Sequence, residues 1–250
     1  TFRYDNRAYT DKSLSEEDET VTMFDQADDV HEAIRALRRD QRFARHRIGL
    51  LGHSEGGNAV AIAASRNKDV NFVICLSTCG IKGVDLGYEQ TSAPILFNRK
   101  MPEDVREFML RSLKSYLHIV NEYNSLDLIK RKLKQELTNQ YNLVNDKSRI
   151  YGKASLDEIS RKVIGGYTRP RMIAFIKYDP DLYFSKLSCP VLIMCGKMDG
   201  NIDCEKHLNG LKKILEKNGK QNYEVLAIDS VSHGYTKVER LVPLFIERLL

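Results

Sequence analysis

The chain has 250 residues, 42% of them hydrophobic and 29% charged, which is enough for one sizeable folded domain with room for an inserted subdomain. No run of 18 apolar residues exists, which excludes a membrane-spanning helix. The formal net charge of +5 is modest, and with Lys and Arg interspersed among Asp and Glu it does not point to nucleic acid.

The chain opens at Thr1 inside an apparent strand, Phe2-Arg3-Tyr4, with no signal peptide in view, and a loop follows to Ser15. Thr22-Met23-Phe24-Asp25 resembles a capping box. Phe24, Ala27, Val30, Ile34 and Leu37 then recur at steps of three and four, which predicts an amphipathic helix to about Arg39. A short apolar strand at Ile48–Leu51, a helix from Glu55 to about Ser65 and a strand at Val70–Leu76 come next. Strand, helix and strand joined by short loops predict a parallel sheet with helices on both faces.

From about Gly87 the character changes. Residues 101–145 are helical and Lys-rich, with Pro102 at a first helical position and Leu126, Ile129, Leu133 and Leu137 as an apolar stripe. Shorter helices are predicted at Ala154–Ile164 and Met172–Ile176. No strand interrupts this stretch, so 88–185 is expected to be a helical cap inserted over the carboxyl edge of the sheet, and 1–87 with 186–250 the α/β core. The sheet resumes at Cys189–Cys195, followed by a helix at Cys204–Lys217, a last strand at Tyr223–Ile228 and a C-terminal helix over 237–250.

The segment Gly52-His53-Ser54-Glu55-Gly56-Gly57 joins the first of these strands to an Ala-rich helix. Gly-x-Ser-x-Gly at a strand-to-helix turn is the pattern of a nucleophile elbow. The turn is tight, and side chains at Gly52 or Gly56 are expected to clash. A serine hydroxyl needs a base to take its proton, and that base needs a carboxylate to orient it. Asp199, in Gly196-Lys197-Met198-Asp199-Gly200, follows the Val191–Cys195 strand; His233, in Ser230-Val231-Ser232-His233-Gly234, follows the last one. The order Ser54, Asp199, His233 makes them the candidate catalytic residues, with the backbone N–H of Glu55 as one oxyanion donor. The competing readings are plain: Ser54 as a helix cap, Asp199 as a turn aspartate beside a glycine, His233 as a surface loop histidine. Asp203 is placed to cap the next helix. His31, His46, His118 and His207 are expected to be solvated, and His53 to pack or hydrogen-bond locally.

Five cysteines (Cys75, Cys79, Cys189, Cys195 and Cys204) are an odd number without metal-ligand spacing and read as free thiols, which favours the cytoplasm. No phosphate loop, dinucleotide fingerprint or zinc spacing is present, so no cofactor or metal is expected. The basic face Lys130, Arg131, Lys132 and Lys134 reads as a solvated helix surface.

These segments together resemble an α/β-hydrolase. More narrowly, the chain is similar to the capped bacterial carboxylesterase-like and serine-aminopeptidase-like branch. Tyr4-Asp5-Asn6-Arg7, Gly52–Gly57 with Asp69–Val73, and Tyr178-Asp179-Pro180 with Cys189–Leu192 and Gly196–Asp199 carry the resemblance. It implies Ser54 as nucleophile, Asp199 as acid and His233 as base. The family's Arg-Gly-x-Gly reads Arg7-Ala8-Tyr9-Thr10 here, and the fold's first strands, one of which brings the second oxyanion donor, are missing. The chain therefore reads as N-terminally truncated. The expected activity is cleavage of a carboxylic ester through an acyl-enzyme, with a small ester or short peptide as substrate. The alternatives are an aminopeptidase, with Glu89, Glu103 or Asp104 holding the substrate amine, and a catalytically incomplete hydrolase-like fragment.

Overall fold

The computed structural model describes residues 1–4, 7 and 20–235. In chain order the elements are α1 (Met23–Arg39), β1 (Ile48–His53), α2 (Glu55–Arg66), β2 (Val70–Leu76), α3 (Gly83–Leu96), α4 (Glu103–Glu122), α5 (Leu126–Leu143), α6 (Lys147–Tyr151), α7 (Leu156–Tyr167), α8 (Pro170–Ile176), α9 (Asp181–Phe184), β3 (Val191–Gly196), α10 (Cys204–Lys217) and β4 (Tyr223–Ile228). They fall into two compact units. The described parts are 23–82 with 179–235 in one, and 83–178 with the N-terminal residues in the other.

The first unit holds a four-stranded parallel sheet in the order β1-β2-β3-β4, flanked by helices. Every residue of β3 is buried, as a central parallel strand requires, and its run Val-Leu-Ile-Met-Cys-Gly has no polar side chain to solvate. Side chains alternate across the sheet. Cys75 faces the backbone of α2, and Cys195 meets Cys204 at the start of α10. On the other face Ile74, Leu76, Leu192 and Met194 pack with Val231 and Tyr235 from the loop after β4. The C-terminal helix expected over 237–250 lies outside the described residues.

Phe2-Arg3-Tyr4 is not a strand. Among the described residues no strand pairs with it, and the Phe2 and Tyr4 rings lie 6.2 Å apart, both half exposed.

Every regular element described in the second unit is a helix. Leu113, Leu117 and Val120 of α4 and Ile129, Leu133 and Leu137 of α5 form its core with Ile176. Each such fully buried aliphatic side chain contributes about 1.5–3 kcal/mol. Pro102 stands one position earlier than expected, at the N-cap of α4. Ser155 and Glu158 form a complete capping box at the start of α7. Lys130, Arg131 and Lys134 are exposed, and Lys132 lies over the Tyr123 ring. Among the described residues, helices α3, α6 and α9 are not signalled by periodicity, and α3 is the longest of them. It contains Gly83, Gly87 and Pro94, and a Cβ on Gly83 would stand 1.7 Å from the Phe175 carbonyl oxygen, so packing selects the residue that propensity disfavours. Among the described residues no helix is long and apolar enough to cross a membrane.

Candidate functional site

Ser54 sits between β1 and α2 with φ 56 and ψ −123, a conformation that costs a residue with a Cβ on the order of 1–3 kcal/mol. Three contacts hold it there. Its N–H donates to the Leu76 carbonyl at 2.8 Å, its carbonyl accepts from Gly57 N–H at 3.0 Å, and Gly52 lies against the first turn of α2. A Cβ on Gly52 would stand 2.1 Å from the Gly56 carbonyl oxygen. Gly56 itself departs from the expectation, because a Cβ there meets nothing within 4 Å. The elbow is tight because the Gly56 backbone presses on Gly52, not because a Gly56 side chain lacks room. The second glycine in short supply of space is Gly57, whose Cβ would stand 1.8 Å from Thr78 Oγ1. The Ser54 side chain makes no cap hydrogen bond to α2, so its hydroxyl is not spent on the helix.

Asp199 and His233 meet directly. His233 Nδ1 lies 3.0 and 2.8 Å from the two Asp199 carboxylate oxygens, with the Asp199 side chain wholly buried and His233 19% exposed. A carboxylate only accepts, so Nδ1–H is the donor of this bond. Oδ1 of Asp199 also accepts from the backbone N–H groups of Asn201 at 2.8 Å and Ile202 at 3.1 Å. Burial pushes this carboxyl upward, but hydrogen bonds from Ser77, His233, Asn201 and Ile202 outweigh it and hold it below its ordinary value. Asp203 does cap α10, accepting from Lys206 N–H at 3.0 Å.

The loops bearing these two residues are zipped together beyond the strands. Lys197 N–H donates to Ile228 O at 2.9 Å and Met198 N–H to Val231 O at 3.0 Å. Gly196 permits this, since a Cβ there would lie 2.0 Å from Val231 O. Tyr235 anchors the far side of the His233 turn, its hydroxyl donating to Met194 O at 2.7 Å. His53 joins the elbow to the His233 loop. Its Nε2 lies 2.7 Å from the His233 carbonyl, and the two rings are 4.7 Å apart. A carbonyl only accepts, so His53 carries a proton on Nε2. Sequence reasoning does not find Ser77 and Tyr235. Ser77 follows the carboxyl end of β2, where polar groups of a parallel sheet collect, and that position is the available signal.

His207 is fully buried rather than solvated. Its Nδ1 accepts from Gly80 N–H at 3.0 Å, and burial pushes its pKa down to about 4. The signal is the spacing of Cys204, His207, Leu208, Leu211 and Leu215, which places it on the buried face of α10. His46 and His118 are exposed as expected, while His31 is half buried. All five cysteines are free and buried, and burial pushes Cys75 up to about 12. Among the described residues, no group of three or more His, Cys, Asp or Glu side chains could hold a metal ion.

Among solved structures, VinJ aligns with 93% of this chain and 73% of its own, with a TM-score of 0.50 at 12% identity. Est1E from Butyrivibrio proteoclasticus aligns over 92% and 69% with a TM-score of 0.48 at 17% identity. A bromoperoxidase from Bacillus anthracis aligns over 93% and 77% with a TM-score of 0.49 at 18% identity. No curated protein matches the chain. A family model described as BAAT / Acyl-CoA thioester hydrolase C terminal matches residues 30–235. The α/β-hydrolase resemblance read from the sequence therefore holds at the level of the superfamily and its fold, and the chain belongs to the BAAT / acyl-CoA thioester hydrolase C-terminal family.

Proposed function

We propose that this hydrolase-family chain is a serine acyl hydrolase that works through an acyl-enzyme. Ser54 attacks the carbonyl carbon of a carboxylic ester or thioester while His233 Nε2 takes the hydroxyl proton. The backbone N–H of Glu55, at the first position of α2, donates to the developing oxyanion. The leaving alcohol or thiol departs with the proton from His233, and water repeats the cycle on the acyl group. Asp199 keeps His233 in the Nδ1–H tautomer and stabilises the imidazolium. The observation that carries this reading is the His233–Asp199 hydrogen bond, at 2.8 Å to Oδ2, in the same unit as a strained Ser54 whose hydroxyl is not used as a cap. The division into a core of 1–87 and 186–250 and a helical insertion of 88–185 belongs to the same proposal.

The family description favours a thioester as the scissile group. The aminopeptidase reading draws less support. Of its three candidate carboxylates, Glu103 is paired with Arg106 and Asp104 lies 2.8 Å from Arg149, so two of the three, Glu89 aside, are already engaged by arginine. The test is fluorophosphonate labelling of the chain beside Ser54→Ala, read by intact mass, followed by turnover of matched acyl esters, acyl thioesters and aminoacyl amides. Labelling of the parent alone, with thioester turnover ahead of amide, is the expected result. Labelling of both proteins, or equal hydrolysis by both, overturns the assignment of Ser54.

A further inference from the structure

The charge of this chain is not evenly spread. Residues 35–47 contain six arginines (Arg35, Arg38, Arg39, Arg42, Arg45 and Arg47) and one acidic residue, Asp40, so they carry the whole formal excess of +5. The remaining 237 residues balance, with 33 basic and 33 acidic side chains. Like charges also gather at Lys130–Lys134 and, more thinly, over 161–177, where five basic residues stand among seventeen with no acid, but 35–47 is the densest excess.

The structure shows which of these arginines are occupied. Arg38 holds the segment in shape, donating to Ala44 O at 3.1 Å, His46 O at 2.7 Å and, across to the loop before β2, Asp69 O at 3.4 Å. Backbone bonds from Phe43 and Ala44 to Asp40 O, at 3.0 and 2.8 Å, fold it into a compact turn. Arg42 is held by Asp40 at 2.7 Å, and Arg35 by Glu32 at 3.3 Å. Arg39, Arg45, Arg47 and, from the neighbouring loop, Lys68 are exposed and have no side-chain partner among the described residues. Phe43 stands among them 40% exposed, with Arg42 over its ring at 5.2 Å. The turn lies at the amino end of β1, and Ser54 follows its carboxyl end. A strand of six residues separates them by about 20 Å, so this surface is not part of the Ser54 site.

We infer that the 39–47 turn docks the protein on an anionic lipid bilayer. An exposed turn with several unpaired cations around one partly exposed aromatic matches a flat anionic surface, where the cations meet headgroups and the ring enters the interface. Single-stranded nucleic acid needs a basic groove with successive stacking platforms, and this turn offers a single ring. The inference does not depend on the role of Ser54.

The test is sedimentation of the full chain with vesicles of phosphatidylcholine alone or mixed with phosphatidylserine, at low and high salt. Three proteins are compared: the parent, an Arg39→Gln/Arg45→Gln/Arg47→Gln variant, and a Lys130→Gln/Lys132→Gln/Lys134→Gln variant that removes equal charge from α5. Arg38 is left in place to keep the turn folded, and circular dichroism melting confirms each fold. Each cation near an anionic surface strengthens binding about fivefold, so the arginine variant is expected to bind about 100-fold more weakly and the lysine variant nearly as the parent. Parent binding should require phosphatidylserine and fall with salt. No binding to phosphatidylserine vesicles, equal weakening by both variants, or retention only by a single-stranded oligonucleotide overturns the inference.

Discussion

The buried His207 makes stability depend on pH in a way that can be calculated. In the unfolded chain a histidine takes its proton at about pH 6.5, whereas in the fold burial holds that proton off until about pH 4. Lys206 adds to the lowering, and Asp203 and Asp199 oppose it. The folded pKa is the depressed one, so between pH 6.5 and 4 the unfolded state binds a proton that the folded state refuses, and stability falls as the solution is acidified. One proton changes stability by 1.36 kcal/mol per pH unit, which over this interval amounts to about 3 kcal/mol. His207 has no exposed surface, so solvent screening does not reduce the figure. The perturbation is His207→Asn, whose Oδ1 stands where Nδ1 stood and can still accept from Gly80 N–H, but which cannot titrate. The variant loses packing and should be about 1–3 kcal/mol less stable at pH 7. Its disadvantage should shrink by about 3 kcal/mol by pH 4. The assay is urea unfolding at pH 7, 6, 5 and 4, followed by far-UV circular dichroism because the chain has no tryptophan. With a slope of about 2–3 kcal/mol/M, the relative midpoint should move by about 1–1.5 M. Parallel stability curves for the two proteins, or a His207 proton that titrates near 6.5 in the folded state, would refute the reasoning.

Three further expectations follow from single contacts. Gly52→Ala should destabilise by about 3 kcal/mol or more, because its Cβ meets the Gly56 carbonyl at 2.1 Å, whereas Gly56→Ala enters open space in a helix and should be neutral or about 0.5–1 kcal/mol stabilising; thermal melting that reverses this order removes the account of the elbow. Asp203→Ala should cost about 1 kcal/mol by uncapping α10 and leave the His233–Asp199 bond in place, and an unchanged melting temperature would mean the cap contributes nothing. Asp199→Asn should lower acyl turnover about 10⁴-fold by favouring the wrong His233 tautomer, and turnover within tenfold of the parent would remove Asp199 from the mechanism. The same substitution has a sign in stability. A depressed carboxyl stabilises the fold above its ordinary pKa and loses that contribution as pH falls through its lowered value, so the variant should lose this part of the acid dependence.

What the sequence reveals and hides follows the range of the interactions. Helices such as α5 and α10 and strands such as β3 are legible because burial writes its period locally, into Ile129-Leu133-Leu137 or the run Val191–Cys195. Ser54, Asp199 and His233 can be found for a topological reason: each follows a strand of a parallel sheet, and the carboxyl ends of all such strands share one edge. Helix α3 is hidden because Gly83 is chosen by the Phe175 backbone and Gly87 lies against the Leu117 and Phe175 side chains, all far along the chain. The elbow shows how the same limit produces a specific error. The motif names two glycines and suggests one reason for both, but the crowding acts on Gly52 and on Gly57, while Gly56 contributes only a carbonyl that presses on Gly52. The supports of the site are likewise long-range. His53 reaches His233 across 180 positions of the chain and Tyr235 reaches Met194 across 41, so no local pattern records them. The motif marks Ser54 because its own backbone is strained there; the groups that hold that strain in place belong to the tertiary fold.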